Sequence, residues 1–131
     1  MTPLDHSQML LQKAAQDEAL LQAHLEDEAM SAELFGFHAQ QAIEKLLKAW
    51  LAARAIHYPK THNLQTLVEL LESQVAPMPP ELTDLDRLTP YATVYRYEHL
   101  PEYAALDRKG TWSVVAQVRA IVEQHVNPPA A

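Results

Sequence analysis

Residues 35–53 constrain the fold more than any other stretch. Phe35, Ala39, Ala42, Leu46, Trp50 and Ala53 recur at steps of three and four, the period that lines side chains along one face of an α-helix. An apolar stripe of this kind persists only when another apolar surface covers it. Helices supply that surface, because no apolar run of strand length alternates and Gly36 and Gly110 are the only glycines.

The rest of the chain repeats the helical period. Thr2 before Pro3 opens a first helix, predicted to reach about Glu28, with Leu10, Ala14, Leu21 and Leu25 on its stripe and Asp17 and Glu18 weakening its middle. Ser31 caps the second, on which Gln41, Glu44, Lys45 and Lys48 fall opposite the apolar seam, with Glu44 and Lys48 at ion-pair spacing. Pro59 forces Tyr58 away from helical dihedrals and stops this helix between Ile56 and Lys60. A third helix starts near Asn63, carries Leu64, Leu67, Val68, Leu71 and Val75, and ends at Pro77, Pro79 and Pro80. Pro80 opens a fourth through Leu82, Leu85 and Leu88 toward Ala92 and Tyr95, with a kink at Pro90. Residues 96–109 read as a loop. Gly110 and Thr111 precede a last helix with a buried stripe of Val114, Val118, Ile121, Val122 and His125, and residues 127–131 form a frayed tail. The expectation is one all-α domain over residues 1–126, an up-and-down four-helix bundle with an additional short helix.

A chain of 131 residues with 48% hydrophobic content can build one core without disulfides, and it contains no cysteine. That removes thiolate nucleophiles and cysteine zinc sites and fits a reducing compartment, so a cytoplasmic location is expected. The N-terminus lacks a basic region followed by an apolar run, and no stretch reaches the roughly 18 apolar residues of a membrane span, so no membrane association is expected. The net charge of -7 argues against a broad nucleic-acid clamp. The charge is uneven, however. Residues 1–36 hold seven acidic side chains against Lys13 alone, whereas the remainder has nine basic and ten acidic residues. The first helix repels a polyanion, and a local basic surface is left to the later ones.

The sharpest polar cluster is Tyr95, Arg96, Tyr97, Glu98 and His99. Arginine offers a fixed charge for a phosphate and histidine a proton donor or acceptor near neutral pH. Together they suit RNA cleavage, in which the 2'-hydroxyl attacks phosphorus, His99 moves a proton and Arg96 stabilises the phosphorane. The alternative is structural, with Arg96 paired to Glu98 or to a carboxylate of the first helix and His99 solvated. His57 and His62 flank the Pro59 connector without metal-ligand spacing, so no metal and no cofactor is expected. His62 reads as a cap or packing residue of the third helix, and His38 as a core or interface histidine. Trp50, Tyr58, Tyr91, Tyr95, Tyr97 and Trp112 close the core or stack on a base. Two isolated glycines cannot form a phosphate-cradling loop, and no covalent nucleophile stands in a recognisable motif.

The segments "AQQAIEKLLKAWL", "PKTHNL" and "YATVYRYEHL", in that order, resemble the HEPN family of small helical nucleotide-binding or RNA-cleaving domains. The resemblance spans about Leu10 to Val126. It implies a helical bundle, often dimeric, and as partner a minimal nucleotidyltransferase in a two-component toxin and antitoxin system. Ribonuclease members carry an Arg and a His that two subunits bring together at a dimer cleft. The Arg carries over to Arg96 and the His to His99, although only Tyr97 and Glu98 separate them, a shorter interval than those members have. Tyr95 and Tyr97 then stand as nucleotide or RNA contacts, and Tyr103 as the tyrosine to which the partner attaches a nucleotide. Three functions follow: an interaction module paired with the nucleotidyltransferase and binding nucleotide or RNA, a metal-independent endoribonuclease toxin using Arg96 and His99 across a homodimer, or a non-catalytic helical adaptor.

Overall fold

The computed structural model describes residues 1–92 and 106–127, all of it helix and connecting turns. Helices α1 (Pro3–Ala23), α2 (Ala32–Ala53), α3 (Leu64–Gln74) and α4 (Arg108–Val126) are joined by short turns, one extended connector and two 3₁₀ segments, Pro80–Leu82 and Leu85–Ala92. The all-helical expectation holds. No helix among the described residues is long and apolar enough to cross a membrane.

The helix starts follow their caps. Thr2 and Asp5 form a reciprocal capping box, and Ser31, Asn63 and Asp107 accept from the amides of Leu34, Thr66 and Gly110. The Thr2 amide, donating to Asp5, holds that carboxyl below its ordinary range. Asp107 moves the start of α4 forward to Arg108, so Gly110 lies inside the first turn rather than ahead of it, and residues 108 and 109 belong to the helix rather than to the loop.

Helix α1 ends at Ala23, not at Glu28. Glu26, Asp27 and Glu28 would place three carboxylates at the negative end of the helix dipole. Asp27 instead accepts from the Ala29 amide, which holds its carboxyl below the usual range, and from His24 Nδ1. The turn is closed from α4, where the Arg108 guanidinium donates to the carbonyls of His24, Asp27 and Met30 and lies 5.1 Å from the centre of the Phe35 ring.

The fourth predicted helix is 3₁₀ rather than α. Leu82, Leu85, Leu88 and Tyr91 are all buried, and their strict three-residue spacing matches the three residues per turn of that helix. Pro90 is accommodated inside the second segment without an α-helical ladder to break. Tyr91 packs its ring against Gly36 of α2, where a Cβ would overlap it.

Helix α2 is the axis of the molecule. Phe35, Ile43, Leu46, Leu47, Trp50 and Leu51 have at most 1% exposure. Helix α1 packs antiparallel to it, since Ser7 donates to the Ala49 carbonyl near one end and Asp17 reaches His38 and Lys45 toward the other. Helix α4 runs parallel to α2, with Arg108 against Phe35 and His125 stacked on Trp50 at 4.4 Å. Its buried stripe is Thr111, Val115, Val118, Val122 and Val126, whereas Val114 and Ile121 are half-buried and His125 is exposed. The stripe follows from the start at Arg108. Asn127 caps α4 and accepts from Gln8.

Candidate functional site

With α1, α3, α4 and the 3₁₀ segments around it, α2 keeps one incompletely covered stripe: Leu34, His38, Gln41, Lys45 and Lys48, at steps of three and four. Asp17 of α1 flanks it on one side and the α2–α3 connector on the other. The connector doubles back along α2, because Tyr58 lies near Lys48, and His62 reaches Glu44.

Each charge on this stripe is held by a buried carboxylate. Asp17 has a 9% exposed side chain and bridges His38 Nδ1 at 2.9 Å and Lys45 Nζ at 2.6 Å. The contact fixes the His38 ring and directs its Nδ1 to the carboxylate, leaving Nε2 as the other proton-exchanging atom. Glu44, 7% exposed, takes three donors: Gln40 Nε2 at 3.0 Å, His62 Nδ1 at 2.8 Å and Lys48 Nζ at 2.9 Å. A buried carboxylate is stable only when saturated in this way. Gln40 also donates to the His62 carbonyl, tying the connector to α2. The predicted Glu44 and Lys48 pair forms, but Glu44 is buried rather than on an open face. His62 is more than half exposed and bonds Glu44, while Asn63 is the cap.

The stripe ends at an aromatic pair. His6 stacks on Tyr58 with its Nε2 2.8 Å from the hydroxyl, and Lys48 Nζ is 5.6 Å from the Tyr58 ring centre. Burial first, and the Glu44 carboxylate second, raise the Tyr58 hydroxyl above its ordinary value of 10, so it stays a neutral phenol. Beyond the pair, a cavity of about 530 Å³ opens between the start of α1, the end of α2 and the connector.

The arrangement can offer an anion two ammonium groups and three histidines, His6, His38 and His62, on a chain that is acidic overall. Because Asp17 and Glu44 offset Lys45 and Lys48, the face suits a few phosphates and not a long polyanion.

The residues singled out from the sequence, Tyr95, Arg96, Tyr97, His99 and Tyr103, lie outside the described residues, as does Glu98. The segments on either side of them are anchored at one end of the bundle, by Tyr91 on Gly36 and by Arg108 on the α1–α2 turn. His57 lines the cavity at the other end. His38 is the residue whose role sequence reasoning missed. Its signal is Asp17, an acid on an otherwise apolar stripe that calls for a cation on the facing helix.

No curated protein and no solved structure matches the chain. The HEPN domain family model matches residues 7–127, nearly the whole chain and all four helices. On that match, together with the helical fold it predicts, the chain belongs to the HEPN domain family.

Proposed function

We propose that this chain is the HEPN component of a two-component pair with a minimal nucleotidyltransferase, that it is a homodimer, and that it binds nucleotide or RNA phosphate along the open stripe of α2. The observation that supports the reading is the placement of His38, Gln41, Lys45 and Lys48 on that stripe, bordered by His6 and His62, in a HEPN domain whose net charge is -7. With Asp17 and Glu44 offsetting the two lysines the stripe is close to neutral, so on a chain of net charge -7 it is a surface that an anion can approach and where it meets side-chain donors. The test is co-expression with a minimal nucleotidyltransferase encoded beside the gene, followed by size-exclusion chromatography and by nucleotide-transfer labelling with an α-phosphate-labelled nucleoside triphosphate, which leaves the nucleotide on the chain and releases pyrophosphate. Co-elution supports the pair, and independent elution without labelling contradicts it.

The second reading is a metal-independent ribonuclease, favoured by the proximity in sequence of Arg96 and His99. In that case Arg96→Ala and His99→Ala each abolish most cleavage of a labelled RNA with helicity unchanged, since general acid-base help alone is worth about 100- to 10,000-fold. Cleavage by His99→Ala at the wild-type rate removes this mechanism.

A further inference from the structure

The cavity at the α1 start and α2 end is chemically unlike the stripe it adjoins. Ala52, Ala55 and Ile56 form an apolar wall, Tyr58 and His6 contribute a stacked aromatic pair, and His57 and Lys60 complete the lining. Among the described residues, no acidic side chain lines it. On a chain with 17 acidic residues against 10 lysines and arginines, that composition complements an anion.

The wall is also fixed by an unusual backbone. Ala55 has φ 57, the left-handed region that favours glycine, in the C-terminal motif of α2 where Ile56 N–H bonds the Leu51 carbonyl at 3.0 Å and Ala55 N–H bonds the Ala52 carbonyl at 2.9 Å. That turn swings Ile56 and His57 across the end of α2 so that they line the cavity with Ala52.

We propose that this cavity binds a small planar aromatic acid. The apolar body lies against Ala52, Ala55 and Ile56 beside the Tyr58 and His6 rings, and the carboxylate meets Lys60 and His57 of the lining. A volume of about 530 Å³ admits a bicyclic ring system with one acidic substituent. The site stands at the end of the bundle away from Tyr91 and Arg108, and the proposal does not rest on the nucleotide reading.

The test is isothermal titration calorimetry of the full chain with 1-naphthoate and with its uncharged amide, 1-naphthamide, accompanied by amide chemical-shift mapping. Saturable 1-naphthoate binding, at least about tenfold tighter than 1-naphthamide, is expected, because a charge-assisted contact is lost in the amide. Shifts should cluster at residues 3–6 and 52–60. The exposed double variant His57→Ala/Lys60→Ala should weaken 1-naphthoate by at least about tenfold and leave 1-naphthamide unchanged. Ala52→Phe, which fills the cavity, should remove both, and if it fails to fold the double variant carries the test alone. Equal affinity for acid and amide, no saturable heat at millimolar ligand, or shifts centred elsewhere overturns the proposal.

Discussion

Glu18 on α1 receives both arms of the Arg119 guanidinium from α4, Nε to Oε1 and Nη2 to Oε2, each at 2.6 Å. Arg119 also donates to the Leu11 carbonyl and to Glu123, and its hydrogen bonds with Glu18 hold its proton more firmly than usual. This fork is a polar strut between α1 and α4, alongside the Gln8 to Asn127 hydrogen bond. Arg119→Met leaves the Glu18 carboxylate buried and unpaired, and should cost about 3 kcal/mol in urea unfolding. Adding Glu18→Leu to that variant should recover most of the loss. A double variant as unstable as the single one would show that the strut is not what links α1 to α4.

Gly36 should resist replacement although it lies in a helix. Alanine is favoured there by about 1 kcal/mol on propensity, but its Cβ would overlap the buried Tyr91 ring, whose atoms nearest the backbone cannot swing clear. Gly36→Ala is expected to lose about 1 to 3 kcal/mol, and Tyr91→Leu in the same chain to relieve part of it. A Gly36→Ala protein as stable as wild type in thermal unfolding would contradict the packing of the second 3₁₀ segment.

Trp50 is 1% exposed, and its Nε1 has no acceptor among the described residues. Trp50→Ala should cost about 3 to 5 kcal/mol. Trp50→Phe should cost distinctly less, because it also removes an unsatisfied buried donor. Chemical denaturation of the two variants reads the difference, and a loss under about 1 kcal/mol for alanine would place Trp50 outside the core.

Ala55 stands in a left-handed conformation that costs an ordinary residue about 1 kcal/mol more than glycine. Ala55→Gly should therefore raise stability by somewhat under about 1 kcal/mol after the entropic penalty of glycine. Unchanged or lower stability would mean that the turn after α2 is not held as described.

Tyr58 gives a pH signature. Its folded value is raised, so the protonated phenol is favoured in the native state; the stability this contributes is present below pH 10 and lost as pH rises through the higher folded value. Phenolate absorbance, taken as the difference between wild type and Tyr58→Phe, should appear above pH 10. A titration at or below that value would show an exposed ring.

Caps and periodicity made much of this fold legible. Thr2 and Ser31 read as caps in the sequence and are caps in the structure, whereas the third helix starts where expected but is capped by Asn63 and not by His62. The 3₁₀ region was legible in kind but misassigned, since Leu82, Leu85 and Leu88 fit an α-helix loosely and a three-residue repeat strictly. What local pattern could not supply is pairing across helices. Asp17, Glu18 and Glu44 read as surface charges until Lys45, Arg119 and His62, distant in sequence, are brought against them. The cavity escaped for the same reason, since its walls come from α1, α2 and the connector.

The most direct test of the account is the fluorescence anisotropy of a labelled single-stranded RNA of only a few nucleotides with wild type, Gln41→Glu and Gln41→Lys. Gln41 is half-buried at the middle of the α2 stripe, between His38 and Lys45, and both replacements suit a helix. Wild type should bind with an affinity that falls as salt rises, Gln41→Glu about 3- to 10-fold more weakly and Gln41→Lys more tightly by a similar factor. Identical affinities for all three proteins, or no salt-dependent binding by any, would contradict the assignment of this stripe as the phosphate-binding face.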